Sequence, residues 1–166
     1  MKETTTIDSY YFTTKYKIHG YLRHDWAPRD KIRWFIYVIQ DVPCGKIYTG
    51  SSQSPVARFT QHRSTCNNPQ KQKHGGTGLC NHFRQGCPND DGRDKSNLTM
   101  TLIDYHDVTT EELLAASHEK GPQCKCRHCQ KLKELEDFHI LRLGSIFGPS
   151  ALNRRDEIKN KSRCQW

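Results

Sequence analysis

Ile32 to Gln40 is a run of aromatic and β-branched residues that stops at Pro43-Cys44-Gly45 and resumes at Ile47-Tyr48-Thr49. Side chains of this kind suit a pleated, half-buried surface, and Pro and Gly between two such runs mark a turn. A β-hairpin is therefore predicted, with Tyr37 and Tyr48 on neighbouring strands. Ser54-Pro55 follows, and serine at the N-cap with proline in the first helical position starts a helix. Arg58 and His62, four positions apart, then share one helical face. Two phenols, a guanidinium and an imidazole are thus set in an order that can serve one reaction centre. Proton-transfer groups beside a fixed cation are what phosphodiester hydrolysis needs.

Further elements follow the same logic. A short helix is predicted from Leu79 to Gln85, and a strand over Leu98 to Ile103. Thr109-Thr110-Glu111-Glu112 opens a helix running to about Ser117, and Gly121-Pro122 breaks the pattern. Leu132, Leu135, Phe138, Ile140 and Leu143 then form an apolar face on a helix over 131–143 that Gly148-Pro149 ends. The order β-β-α-α-β-α-α predicts an α/β (α+β) fold, a small antiparallel three-stranded sheet flanked by helices. Residues 1–30 read as an N-terminal extension that packs on the domain or touches a partner. Residues 31–156 form the domain, with a Cys-rich insertion at about 118–130, and 157–166 form a basic tail.

Charge points to the partner. Lys and Arg number 26 against 18 Asp and Glu, a net +8, which suits a polyanion. Only 34% of residues are hydrophobic, so the core must be compact. No apolar run of about 18 residues exists, which excludes a membrane-spanning helix. The segment Met1 to Ile7 lacks the apolar centre of a secretory signal. An intracellular protein, cytoplasmic or nuclear and not secreted, is expected. Eight cysteines in that setting argue for thiols or metal ligands rather than a disulfide framework.

Cys124-x-Cys126-x-x-Cys129 has the ligand density of half a structural zinc site. The missing ligands are open among Cys80, His82, Cys87 and His118. Lys71, Lys73 and His74 in a Gly-rich loop, with Arg154 and Arg155 in the tail, are candidates for tracking phosphates. Lys159, Lys161 and Arg163 extend that basic tail.

The segment from Tyr37 to His62 resembles the GIY-YIG nucleases. Ile36-Tyr37 stands for the first motif, Tyr48-Thr49-Gly50 for the second, and Arg58 with His62 for the R-x-x-x-H helix. Glu136-Asp137-Phe138 resembles the family's metal-binding glutamate, with Glu134 as the alternative ligand. Leu152-Asn153 resembles the asparagine that closes the motif set. Phe35 stands where the family usually has glycine, and Thr49 where it usually has Ile or Val. The resemblance implies a metal-dependent DNA endonuclease using one Mg²⁺ or Mn²⁺ on Glu136. Tyr37 would activate water, Arg58 would stabilise the transition state, and Tyr48 and His62 would complete the network. Asn153 would fix the geometry or bind phosphate. A mobile-element or homing-type role, a repair or recombination role and a restriction role all remain open. The reading from a different class is a non-catalytic, zinc-stabilised nucleic-acid-binding module with the same fold.

Overall fold

A computed structural model describes residues 16–18, 31–68, 77–86, 98–118 and 124–153. Within them the hairpin forms as expected. Strand β2 (Lys31–Asp41) turns through residues 42–45 into β3 (Lys46–Ser52), and the two pair antiparallel. Gly45 takes a positive φ of 65° in that turn, a conformation open to glycine at little cost. The register sets Ile39 opposite Tyr48 and Tyr37 opposite Gly50.

Strand β4 (Leu98–Thr109) lies antiparallel on the other side of β2, six residues longer than the expected Leu98–Ile103. Its register with β2 shifts between Ile36 and Tyr37. A bulge of this kind re-aims the side chains beside it, and it falls directly before the first tyrosine. The three-stranded antiparallel sheet is thereby present. A fourth strand, β1 (Tyr16–Ile18), pairs with β4, giving the order β1-β4-β2-β3. Part of the expected N-terminal extension is thus an edge strand of the sheet.

Helix α1 (Pro55–Asn67) starts with proline in its first turn; Ser54 holds the N-cap position but makes no side-chain capping bond there. Helix α2 (Gly78–Arg84) is capped by the Thr77 hydroxyl, which accepts from the Cys80 N–H. Helix α3 (Thr110–Ala115) opens on a capping box in which Thr109 and Glu112 satisfy each other's backbone N–H. Helix α4 (Arg127–Phe147) starts earlier than expected, directly after Cys126. Gly148, at φ +51°, ends it and leads into a 3₁₀ turn (Gly148–Ser150).

Alternation along the strands divides the core. Tyr37, Ile39 and Tyr48 pack with Phe59 and Cys66 of α1, Leu79 and Phe83 of α2, and Met100 and Leu102 of β4. Ile36, Val38, Ile47 and Ile103 pack instead with Leu143, Leu132 and Leu135 of α4. A third cluster joins Trp34 and Val108 to Leu113 of α3. Past the 3₁₀ turn the chain runs beside β3. Ile47 forms an isolated parallel bridge with Ala151, and the Ile47 carbonyl accepts from the Leu152 N–H at 2.8 Å. Among the described residues no helix is long and apolar enough to cross a membrane.

Candidate active site and metal centre

The hairpin and α1 bring their functional side chains together inside the first core cluster. Tyr37 is only 1% exposed, and its hydroxyl lies 2.9 Å from Nε2 of His62. Arg58 Nε donates to the same oxygen at 3.4 Å. The His62 ring meets Tyr37 edge-on at 5.9 Å and Tyr48 at 5.4 Å between centroids. One turn of α1 therefore presents both its cation and its imidazole to a single phenol.

Gly50 explains the closeness of the packing. A Cβ built there would stand 2.5 Å from the Tyr37 hydroxyl, so any larger residue would displace the phenol. Gln61 Oε1 accepts from Arg58 Nη1 at 2.6 Å and aims the guanidinium. Gln61 was not among the expected site residues. Its position three after Arg58 on a helix was the available signal.

Glu136 comes from α4, which packs on the opposite face of the sheet. It meets the hairpin at the end of β3, where the Ser51 hydroxyl donates to its Oε2 at 2.7 Å. Ser51 was likewise missed; its place directly after the Tyr48-Thr49-Gly50 motif was the clue. Burial works against the Arg58 charge, but the hydrogen bond to Tyr37 and the fields of Tyr37, Tyr48 and Glu136 outweigh it and raise the pKa. Glu136 thus shares an electrostatic neighbourhood with both phenols. The half-buried Glu134 is two positions away on the same helix, about 200° around its axis, so the two side chains leave in nearly opposite directions.

His62 is 4% exposed, and burial followed by the nearby Arg58 charge pushes its pKa down to about 4. The imidazole is neutral throughout the physiological range. Asn153 stands apart from this group. Its Nδ2 donates to the Thr49 carbonyl and its Oδ1 accepts from the Thr49 N–H, both at 2.8 Å. The amide works as one more rung on the open edge of β3.

The cysteine cluster also assembles. His118, Cys124, Cys126 and Cys129 offer donors that all lie within 4.8 Å of one another. Nδ1 of His118 is 3.4, 3.4 and 3.5 Å from the sulfurs of Cys124, Cys126 and Cys129. A tetrahedral zinc with ordinary bond lengths would set nitrogen and sulfur roughly 3.6 Å apart, so the donor set fits that ion. Burial, with hydrogen bonds from Cys124 and Cys126, pushes the Cys129 thiol up to about 12. Of the ligands left open by sequence, His118 is the one brought here among the described residues. Cys80 is buried in α2, within the layer that packs against the two tyrosines, and lies outside this group. Trp34 packs beside the cluster: its ring lies 5.7 Å from His118 and 6.0 Å from His106, which in turn stacks on His128. Cys87, Lys71, Lys73, His74, Arg154, Arg155, Lys159, Lys161 and Arg163 lie outside the described residues.

Residues 33–100 match the family model described as the GIY-YIG catalytic domain. No curated protein and no solved structure matches the chain. The matched stretch holds Tyr37, Tyr48, Arg58 and His62, whereas Glu136, Asn153 and the cysteine cluster fall beyond it. Such a domain is of nuclease type, which implies a nucleic-acid substrate and general use of a divalent metal. The match covers the hairpin and helix that bring the two phenols, the guanidinium and the imidazole together, and it supports assigning this stretch to the GIY-YIG nuclease family.

Proposed function

We propose that the chain is a metal-dependent DNA endonuclease whose reaction centre comprises Tyr37, Tyr48, Arg58, His62 and Glu136. The observation carrying this reading is the convergence on the Tyr37 hydroxyl, which lies 2.9 Å from His62 Nε2 and 3.4 Å from Arg58 Nε, with Tyr48 packed on the same imidazole. A non-catalytic binding module has no need of that arrangement, because phosphate contacts alone do not require buried phenols.

The residues fit a hard divalent cation, since Glu136 supplies a carboxylate oxygen whose field reaches the proposed phosphate-binding arginine. Bound there, Mg²⁺ or Mn²⁺ would supply charge stabilisation for the leaving 3′-oxygen. The rest belongs to the chain. Tyr37 takes the proton of the attacking water as its own phenolic proton passes to neutral His62 Nε2, 2.9 Å away. The new O–P bond then forms as the P–O3′ bond breaks. Arg58 holds the phosphate and stabilises its transition state through fixed donors. Tyr48 packs against His62 and limits its ring orientations. Ser51 orients Glu136, and Asn153 fixes β3 rather than binding phosphate.

A structural zinc in the His118–Cys124–Cys126–Cys129 cluster belongs to the same reading, because four protein donors leave no open coordination position. It would tie the end of α3 to the start of α4, the helix carrying Glu136.

Plasmid nicking with Mg²⁺, Mn²⁺ or EDTA tests the activity. Arg58→Ala and Glu136→Ala should each lower cleavage by at least about 10²-fold, the scale for losing a transition-state contact, with the circular-dichroism spectrum unchanged. Either variant cutting at the wild-type rate overturns the assignment. Nicking by no metal form of the wild type, with DNA binding retained, would favour the binding module. Plasmid, flap, hairpin and branched substrates compared in one assay separate the restriction, repair and mobile-element roles.

A further inference from the structure

A second group of donors gathers at the opposite end of the hairpin from Ser51. Asp41 is the last residue of β2, Cys44 lies in the turn, and His82 is on α2. One ligand atom from each lies within 4.8 Å of the others. The Cys44 thiol donates to Asp41 Oδ2 at 2.9 Å, and Nε2 of His82 stands 3.1 Å from the same oxygen. Asp41 is 4% exposed, and its carboxylate faces these partners from inside the fold.

We propose that Asp41, Cys44 and His82 form a second metal site, selective for a borderline ion of the Zn²⁺ type. The donor chemistry gives the selectivity. One thiolate and one imidazole nitrogen suit zinc better than Mg²⁺ or Ca²⁺, which take oxygen ligands. The spacing is close to what the ion needs. Tetrahedral zinc would hold the sulfur and nitrogen roughly 3.5 and 3.3 Å from the carboxylate oxygen. The observed 2.9 and 3.1 Å require an opening of a few tenths of an ångström, within reach of a turn residue.

Three protein ligands leave a fourth position for water, so the site is weaker than the four-donor cluster. Binding converts the Cys44 thiol to thiolate and releases its proton to solvent, while His82 must present Nε2 without a proton, its ring proton carried on Nδ1, for that nitrogen to give its lone pair to the ion. The ion would join the hairpin turn to α2. Leu79 and Phe83 of that helix pack in the same cluster as Tyr37 and Tyr48. The site therefore braces the back of the proposed reaction centre without sharing a residue with it. An ordinary buried Asp–His contact with a thiol donating into it is the competing account, and it binds no metal.

Metal content of the purified full chain after exhaustive dialysis, with Zn²⁺ as the probe, decides between them. Cys44→Ala and His82→Gln should each lower zinc by one ion per chain while the four-donor cluster keeps its own. In a chain with Cys124, Cys126 and Cys129 all replaced by Ser, added Co²⁺ should still give a thiolate-to-cobalt absorption, which Cys44→Ala added to that variant removes. Unchanged zinc in both single variants overturns the proposal, as does a triple-Ser chain, folded by circular dichroism, that takes up no cobalt. Nicking assays do not enter this test, so its failure leaves the nuclease reading untouched, and the converse holds.

Discussion

His62 combines two properties that usually oppose each other, a polar ring and nearly complete burial. With its pKa pushed down to about 4, the unfolded chain takes up a proton near pH 6.5 that the folded chain refuses. Stability is therefore whole above about pH 6.5 and is lost as the pH falls toward 4, by about 3 kcal/mol in full. Urea melts at pH 7.5 and pH 4.5 should show this loss, and His62→Gln should remove most of the difference. Equal pH dependence in wild type and variant would refute the burial argument. Gly50 makes a companion case. Gly50→Ala pushes a methyl group against the Tyr37 hydroxyl, and overpacking of this kind costs about 1–3 kcal/mol. Because the displaced atom is the proposed proton acceptor, nicking should fall further than the melting shift alone would suggest.

At the scale of elements, the hairpin and α1 were legible because each carries its own local signal. Aromatic and β-branched residues ran on either side of a Pro-Gly turn, and proline began a helix with Arg58 and His62 one turn apart. The capping box at Thr109 and the stop at Gly148 were readable for the same reason. Thr109→Ala should accordingly cost about 0.5–2 kcal/mol in melts and leave nicking unchanged, since α3 holds no residue of the proposed centre. What sequence could not supply was set by contacts between distant segments. Nothing local tells Tyr16–Ile18 to pair with β4, or marks a bulge between Ile36 and Tyr37. The fourth donor of the cysteine cluster was open for the same reason. Cys80 and His118 were equally available in the chain, and only the layering of helices on the two sheet faces separates them. Asp41 gave no signal at all, being one more strand residue until α2 laid His82 beside it.

For the molecule as a whole, the proposed centre is divided between two layers. The phenols, Arg58 and His62 belong to the hairpin and α1, while Glu136 arrives on α4 from the other face of the sheet. Alignment of those layers rests on the sheet and on what anchors the start of α4. Stripping the zinc proposed for the four-donor cluster with a strong chelator should therefore lower the melting temperature. It should also slow cleavage even when Mg²⁺ is restored in excess, whereas adding back Zn²⁺ should recover both. A chelated chain with unchanged melting would leave the cluster without a structural role.

The stretch from Ala151 to Asn153 seals the exposed side of β3, the strand bearing Tyr48, through the Ile47 carbonyl and both backbone groups of Thr49. An unsealed strand margin offers its amides and carbonyls to any extended peptide nearby. Replacing Asn153 by Ala would uncover one such pair and invite self-association of the chain, visible as concentration-dependent mass in light scattering. Three residues beyond α4 would thus keep the chain from pairing with its own copies.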